Sequence, residues 1–213
     1  MVKYGNKSRK NRSIERGNII VEDIVIASNN KGKINDFKVI FPDFNVISIS
    51  EIIEDFDVEE TGDTFEANAK LKSEAAAKAL NKRVIADDSG LEVFALNGEP
   101  GVYSARYAGT AKDDDANIEK VLSKLGGSTN RSAQFVCVIS MSAPNEETVQ
   151  FKGTVQGEIT LNKIGENGFG YDPIFYIDDK NKTMAQLTVE EKSEISHRGR
   201  AIEKLQHYLE GDA

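Results

Sequence analysis

The chain is notable first for what is scarce in it. Among 213 residues there is one cysteine, so no disulfide can form within the chain. Cys137 lies inside the apolar run Phe135-Val136-Cys137-Val138-Ile139, where a buried thiol is expected rather than a nucleophile. No apolar run approaches the length needed to cross a bilayer, and no short apolar stretch near Met1 resembles a signal peptide. With 39% hydrophobic and 29% charged residues, the expectation is a globular cytoplasmic enzyme. No internal repeat or low-complexity segment is evident. A general excess of positive charge is also missing: the formal net charge is -8, which argues against a basic face built to attract nucleic acid. The charge is unevenly spread. Residues 1–16 carry six basic side chains against Glu15 alone, so they are net +5 and the remainder is -13. The stretch 1–22 lacks apolar periodicity and reads as a basic, disordered extension, leaving 23–213 as the folded domain.

That domain opens with the short strand Asp23-Ile24-Val25-Ile26-Ala27, delivered into Ser28-Asn29-Asn30-Lys31-Gly32-Lys33. Ile34, Phe37, Val39, Ile40 and Phe41 form a helical apolar face, and Pro42 stops it. Residues 45–49 read as a second strand. A strand, a polar glycine-containing loop and a helix can bind phosphate, because backbone N–H groups at the helix start point outward and Lys31 and Lys33 add charge. The Walker spacing is absent, so the loop alone does not decide the matter.

Glu59-Glu60-Thr61-Gly62-Asp63-Thr64 is an acidic turn leading into a long helix over 65–80, free of glycine and proline, with Thr64 as its N-cap. Thr64, Asn68 and Lys72 are four apart and share one helix face, which brings an amide and an ammonium beside the acidic turn. Taken without the other motifs, Lys72 reads as a solvated helix lysine. Next, Val84-Ile85-Ala86 reads as an inner strand with Asp87 and Asp88 at its end. Ser89-Gly90 is expected to turn the chain before Leu91-Glu92-Val93-Phe94 resumes an alternating pattern. Adjacent aspartates repel, so a cation, a protonated member or open solvent must keep them together. Mg²⁺ meets that need with hard oxygen ligands, and a solvated Asp-Asp turn is the plain alternative.

Downstream, residues 97–101 form a turn, and Val102-Tyr103-Ser104-Ala105-Arg106-Tyr107 is extended or irregular. A helix over 113–125 ends at Gly126-Gly127. Strands over 133–142 and 148–155 pair as a hairpin. Alternating strands and helices with one hairpin imply a mixed α/β sheet. Gly168-Phe169-Gly170-Tyr171-Asp172-Pro173 is a glycine-flanked aromatic loop suited to stacking and backbone hydrogen bonding. Glu191-Lys192-Ser193-Glu194-Ile195-Ser196-His197-Arg198-Gly199 precedes a closing helix over 200–209. A His-Arg cation pair at a helix start opposes the dipole, which favours a ligand in front of it.

Six of these segments, in this order, resemble the non-canonical purine nucleoside triphosphate pyrophosphatases, the inosine/xanthosine triphosphatase family. They are Ala27 to Lys33, Glu60 to Phe65, Ala86 to Leu91, Pro100 to Tyr107, Phe169 to Pro173 and Ile195 to Gly199, spread over a resemblance that runs from Ile24 to about Leu209. The resemblance implies a mixed, twisted α/β sheet with flanking helices, two lobes around a nucleotide-binding cleft, and a homodimer. It also implies cleavage of ITP, dITP and XTP between the α and β phosphates to give a monophosphate and pyrophosphate. No specific nucleic-acid or membrane partner is expected. Asp88 with Glu59 or Glu60 would hold Mg²⁺, and Asp88 is the candidate proton acceptor. Lys33, Lys72 and the N–H groups of residues 28 to 33 (Ser28, Asn29, Asn30, Lys31, Gly32, Lys33) would take the triphosphate. Ser89, Phe169, Gly170, Tyr171, Asp172, Lys192, His197 and Arg198 would line the nucleoside side.

Donors from Arg198 or His197 would accept the 6-carbonyl of hypoxanthine or xanthine and oppose the 6-amino group of adenine. The sequence departs from the family pattern at Ala67, where a glutamate is usual. Its absence either opens a capping box at helix position N3 or removes a carboxylate near the metal. Two rival functions fit less of the chain. One is a Maf-like nucleotide pyrophosphatase of different base preference; the other is a nucleotide-binding regulator with weak turnover because of Ala67.

Overall fold

The computed structural model describes residues 22–211; the basic stretch at 1–16, and with it nearly all of the expected extension, lies outside them. Seven strands form one continuous sheet in the order β2-β1-β3-β4-β5-β6-β7. They are β1 (Glu22–Ile26), β2 (Phe44–Ser48), β3 (Val84–Val93), β4 (Ser132–Ser142), β5 (Val149–Ile159), β6 (Phe175–Ile177) and β7 (Lys182–Thr183). β1 runs parallel to β2 and β3, and all later neighbours are antiparallel. The sheet is therefore mixed and carries helices on both faces. No described helix is long and apolar enough to cross a membrane.

Local sequence accounts for the helices. α1 (Lys31–Ile40) starts where the Asn30 side chain accepts the Lys33 N–H and stops before Pro42, which cannot continue it. α2 (Phe65–Leu80) is capped by Thr64, whose hydroxyl accepts the Ala67 N–H, and is rich in alanine, the best helix former. It ends at Asn81 in the left-handed conformation, φ 48°. α3 (Asp114–Leu125) is capped by Asp113. The closing segment is two helices, α4 (Val189–Ile195) and α5 (His197–Glu210), with Ser196 ending the first and capping the second. The closing helix thus begins three residues earlier than the 200–209 expected from sequence, because Ser196 accepts the Gly199 N–H.

Strand alternation decides what covers each face. On one face, Ile85, Cys137, Ile139 and Met141 meet Phe37 of α1 and Ile202 and Leu205 of α5. Further along that face Leu91, Val93 and Phe135 meet Ile118, Val121 and Leu125 of α3. The opposite face holds Val84 and Ala86 against Ala76 and Ala77 of α2, and Val136 and Val138 against Phe65 and Ala69. Burying a side chain such as Phe37 contributes roughly 1.5–3 kcal/mol, so these clusters fix the helices firmly. Between the two clusters of the first face, β3 places Asp87 and Ser89 where an apolar pair would have made the core continuous.

β3 corrects the sequence reading at one point. Asp87, Asp88, Ser89 and Gly90 are neither a strand end nor a turn; they are paired antiparallel with Ile139, Val138, Cys137 and Val136. Ten residues of register against β4 outweigh the local turn preference of Asp, Ser and Gly. Gly90 has a packing role instead: a Cβ there would overlap Ser104 Oγ and the Gly101 carbonyl. The strand that ends here is β1. Its last Cα pairing to β3 is Ile26 with Ile85, closed by the Ala27 N–H to the Ile85 carbonyl at 2.7 Å. α1 and α2 leave for opposite faces of the sheet, so the carboxyl end of β1 is a topological switch point, where open α/β sheets bind ligands.

Candidate active site

A cavity of about 680 Å³ opens at that switch point. Its wall includes Ser28, Asn29, Asn30 and Lys33 from the first loop and helix, Glu59 and Glu60 from the acidic turn, and Lys72 from α2. Asp88, Ser89, Arg106, Asp114 and the segment Phe169 to Asp172 join them, with Lys192, His197 and Arg198 closing the far side. Residues spread over the whole domain are thereby brought to one place. Lys31 is exposed and outside this wall: two residues along a helix is a turn of about 200°, so Lys31 and Lys33 point to opposite sides. Gly32 is also outside it, behind Phe169; a Cβ at Gly32 would stand 2.5 Å from the ring.

The two aspartates divide by strand parity. Asp87 faces α1 and α5 and is 1% exposed. Its Oδ2 lies 3.1 Å from Lys33 Nζ and 3.1 Å from Arg198 Nη2, and Cys137 Sγ is 3.9 Å away. Burial pushes the Asp87 carboxyl upward, but Lys33 and Arg198 together outweigh it and hold the group well below the usual carboxylate range. The same surroundings keep the Cys137 thiol inert: burial, with Asp87 beside it, pushes it up to about 12.

Asp88 faces α2. Its Oδ1 accepts from Lys72 Nζ at 3.2 Å, and the same ammonium donates to Glu60 Oε1 at 2.7 Å. Asp88 Oδ2 is buried with no hydrogen-bond partner. Burial therefore prevails over Lys72 and Lys33, with Glu60 and Asp87 adding repulsion, and the Asp88 carboxyl is raised. Glu60 shows the reverse balance. Burial raises it, yet Lys72 and then Arg106, donating to Oε2 at 2.8 Å, bring it down to about 2. Glu59 sits at the exposed rim of the turn. Asn68 supports the turn from α2 by accepting the Gly62 N–H at 2.8 Å.

Among the described residues no three His, Cys, Asp or Glu side chains stand close enough together to hold an ion. Glu60 and Asp88 are nevertheless chemically suited to a hard cation. Both are carboxylates facing the cavity, Lys72 already bridges them as a cation, and Asp88 Oδ2 is a buried acceptor with no donor.

On the far side, Lys192 Nζ donates to Asp172 Oδ2 at 2.6 Å, and that oxygen also accepts the Phe169 N–H at 3.0 Å. Asp172 thus shapes the aromatic loop, and Asp114 of α3 holds it from outside by accepting the Gly170 N–H at 2.7 Å. Tyr171 is turned inward, its hydroxyl donating to the Ser104 carbonyl at 2.8 Å. Phe169 faces the cavity, with Lys192 Nζ 4.8 Å and Arg198 Cζ 5.9 Å from its ring centre.

Arg198 is 1% exposed and makes three bonds: Nη1 to Asp36 at 2.6 Å, and Nη2 to Asp87 at 3.1 Å and Ser89 Oγ at 3.0 Å. The cation at the start of α5 is therefore compensated by the protein's own carboxylates. His197 beside it is no second cation, since burial and then Arg198 hold its pKa well below the ordinary value. The dipole argument from sequence fails on both counts. Two atoms remain open: His197 Nδ1 and Arg198 Nε, both buried and both without a partner. Sequence reasoning passed over Asp36, Arg106 and Asp114. Arg106 alone had a visible signal, since it lies inside a family-like segment.

The chain has close relatives among known proteins. A protein named dITP/XTP pyrophosphatase from Staphylococcus aureus strain MW2 is 74% identical over 192 residues, spanning 90% of this chain and 98% of its own. One of the same name from Staphylococcus epidermidis strain RP62A is 72% identical over the same shares. Among solved structures, the Staphylococcus aureus Ham1 protein matches with a TM-score of 0.82 at 73% identity, covering 90% of this chain and 100% of that one. A HAM1 protein from Coxiella burnetii matches with 0.81 at 41% identity, over the same shares. The Ham1 family model matches residues 24–208, and the chain belongs to that family.

Proposed function

We propose that this chain hydrolyses the non-canonical purine nucleoside triphosphates ITP, dITP and XTP between the α and β phosphates, releasing the monophosphate and pyrophosphate. One observation carries the reading. Among the described residues five buried side-chain polar atoms have no partner, and three of them, Asp88 Oδ2, His197 Nδ1 and Arg198 Nε, belong to residues that line one cavity. Folded proteins rarely leave such atoms unpaired, and these stand where a cation and a purine would be met. The names carried by the close relatives point the same way.

On this reading Asp88 and Glu60, with Glu59 at the rim, would hold Mg²⁺, which would supply neutralisation of phosphate charge and a more acidic water. Asp88, its carboxyl raised by burial, takes the proton of the attacking water at Oδ2. Lys72 and Lys33 stabilise the charge that develops as pyrophosphate leaves. Ser28, Asn29 and Asn30 supply the loop ahead of α1, whose free N–H groups favour an anion. Phe169 offers its ring to the base, with Ser89, Gly170, Tyr171, Asp172 and Lys192 framing it. The open Arg198 Nε–H is a fixed donor for the 6-carbonyl, and His197 Nδ1 donates or accepts by tautomer. An adenine amino group would face that donor with another. A buried mismatch of this kind costs about 1–3 kcal/mol, or roughly 5- to 150-fold. Action in the cytoplasm as a homodimer belongs to the same reading.

The test is pyrophosphate release from ITP, XTP, dUTP, GTP and ATP with Mg²⁺. Turnover of ITP and XTP well above ATP is expected. Equal turnover of ATP and ITP sinks the donor argument, preference for dUTP favours a Maf-like activity, and binding without release favours a regulator.

A further inference from the structure

Glu60 must be held in place by something outside its own backbone. It lies in the irregular segment between residues 52 and 64, where the Thr61 N–H donates to the Glu59 carbonyl and the Gly62 N–H to the Asn68 side chain. Its two oxygens are shared out: Oε1 accepts from Lys72 and Oε2 from Arg106 Nη1 at 2.8 Å. The two donors are not equivalent. Lys72 is also engaged by Asp88, whereas the Arg106 side chain makes no other hydrogen bond among the described residues.

Arg106 is carried on a firmly held backbone. It ends the short 3₁₀-helical segment Gly101–Arg106, which is clamped from three directions. Ser104 Oγ accepts the Leu91 N–H of β3 and donates to the Gly101 carbonyl, the Tyr171 hydroxyl donates to the Ser104 carbonyl, and Asn117 of α3 donates to the Ala105 carbonyl. The Tyr103 ring lies 5.4 Å from the guanidinium carbon. A planar guanidinium on a fixed backbone aims a carboxylate better than a flexible ammonium does.

We propose that Arg106 is a positioning residue, holding Glu60 by Oε2 so that Oε1 stays directed at Lys72 and Asp88. Each carboxylate oxygen keeps a second lone pair, so the Arg106 bond and a cation on Glu60 are compatible. The inference rests on the proposed function and refines it.

The test separates action through Glu60 from direct contact with substrate. Arg106→Gln is expected to lower kcat for ITP at saturating Mg²⁺ by about 10- to 100-fold, the cost of a misplaced catalytic group, with KM changed less than about twofold. Adding it to Glu60→Gln should cost nothing more, because both act through one carboxylate. Arg106→Lys keeps a donor and should recover part of kcat, which also covers the case in which the glutamine variant folds poorly. A rise in KM at unchanged kcat, or losses that multiply in the double variant, overturns the proposal. Calorimetric titration with Mg²⁺ alone gives a readout independent of turnover. Removing a nearby positive charge would by itself tighten metal binding, so weakening by about threefold or more reports lost positioning, and tighter or unchanged binding counts against it. If wild type releases no pyrophosphate from any nucleotide, the proposed function fails, and the Mg²⁺ titration still decides whether Arg106 acts through Glu60.

Discussion

Asp87→Asn and Asp88→Asn should move stability in different directions although the residues are adjacent. Asp87 is buried and faces two cations, each 3.1 Å from its Oδ2, and one of them, Arg198, is itself 1% exposed. Replacing the carboxylate by an amide leaves Arg198 with Asp36 alone and Lys33 with no carboxylate. Removing one member of a buried ion pair costs about 3–5 kcal/mol. For a chain of this length 1 kcal/mol corresponds to about 2–4 °C in Tm, so a fall of about 6–20 °C is expected. Asp88 is different, because its Oδ2 has no donor and burial works against its ionised form. Lys72 keeps Glu60 at 2.7 Å when Asp88 is neutralised. Asp88→Asn should leave Tm unchanged or raise it by a few degrees, consistent with a site kept charged at some cost to stability.

The pH dependence carries the same signs. The Asp87 carboxyl is depressed on folding, so its contribution is complete above the unfolded value near 3.8 and is lost as pH falls toward the folded value. Asp88 is raised, so its ionisation weakens the fold as pH rises through the folded value. Thermal unfolding followed by circular dichroism, in metal-free buffer across pH 3–8, measures both variants. A Tm for Asp87→Asn within 2 °C of wild type at pH 7, or a larger loss for Asp88→Asn than for Asp87→Asn, would refute the division of roles.

Two further outcomes are open to measurement. Ala67 lies at N3 behind Thr64 and outside the cavity wall, so Ala67→Glu should close a capping box and add about 0.5–1 kcal/mol; ITP turnover altered more than about threefold would instead make position 67 part of the site. Gly32→Ala should improve helix propensity by about 1 kcal/mol yet push the Phe169 ring aside, since the new methyl stands 2.5 Å from it; unchanged Tm with raised nucleotide KM is expected, and an unchanged KM would show that Phe169 does not meet the base.

Much of the fold was legible because local and tertiary preferences agree. The bounds of α2 match the sequence reading: its alanine-rich run, the Thr64 cap and the absence of glycine and proline all pointed one way. The β4-β5 hairpin followed from two strand-like runs joined by the turn residues at 143–146. What failed was the Asp87 to Gly90 stretch, where turn-forming residues are held in a strand by β4. α4 was missed although its signal was present: Thr188 and Glu191 form a capping box at its start. Within the site, single residues were readable but their pairings were not. Asp36 and Arg198 are far apart in sequence and meet only because α1 and α5 cover the same sheet face.

That shared face also explains why an acid that touches no substrate belongs beside the one proposed to work. Lys33, assigned to the phosphates, comes from α1, and Arg198, assigned to the base, comes from α5; both are bound to the same oxygen of Asp87. Two elements carried by separate helices are thus referred to one atom on β3, a strand whose ten residues are all in register with β4. A substrate with charge at one end and a hydrogen-bonding pattern at the other is selected only if the two ends are recognised at a fixed separation. Under the proposed function Asp87 would set that separation from the α1 and α5 face. Strand alternation leaves the next residue, Asp88, pointing to the opposite face with one oxygen unpartnered. The adjacency of the two acids would then let one strand serve both faces of the sheet, one residue for geometry and the next for chemistry.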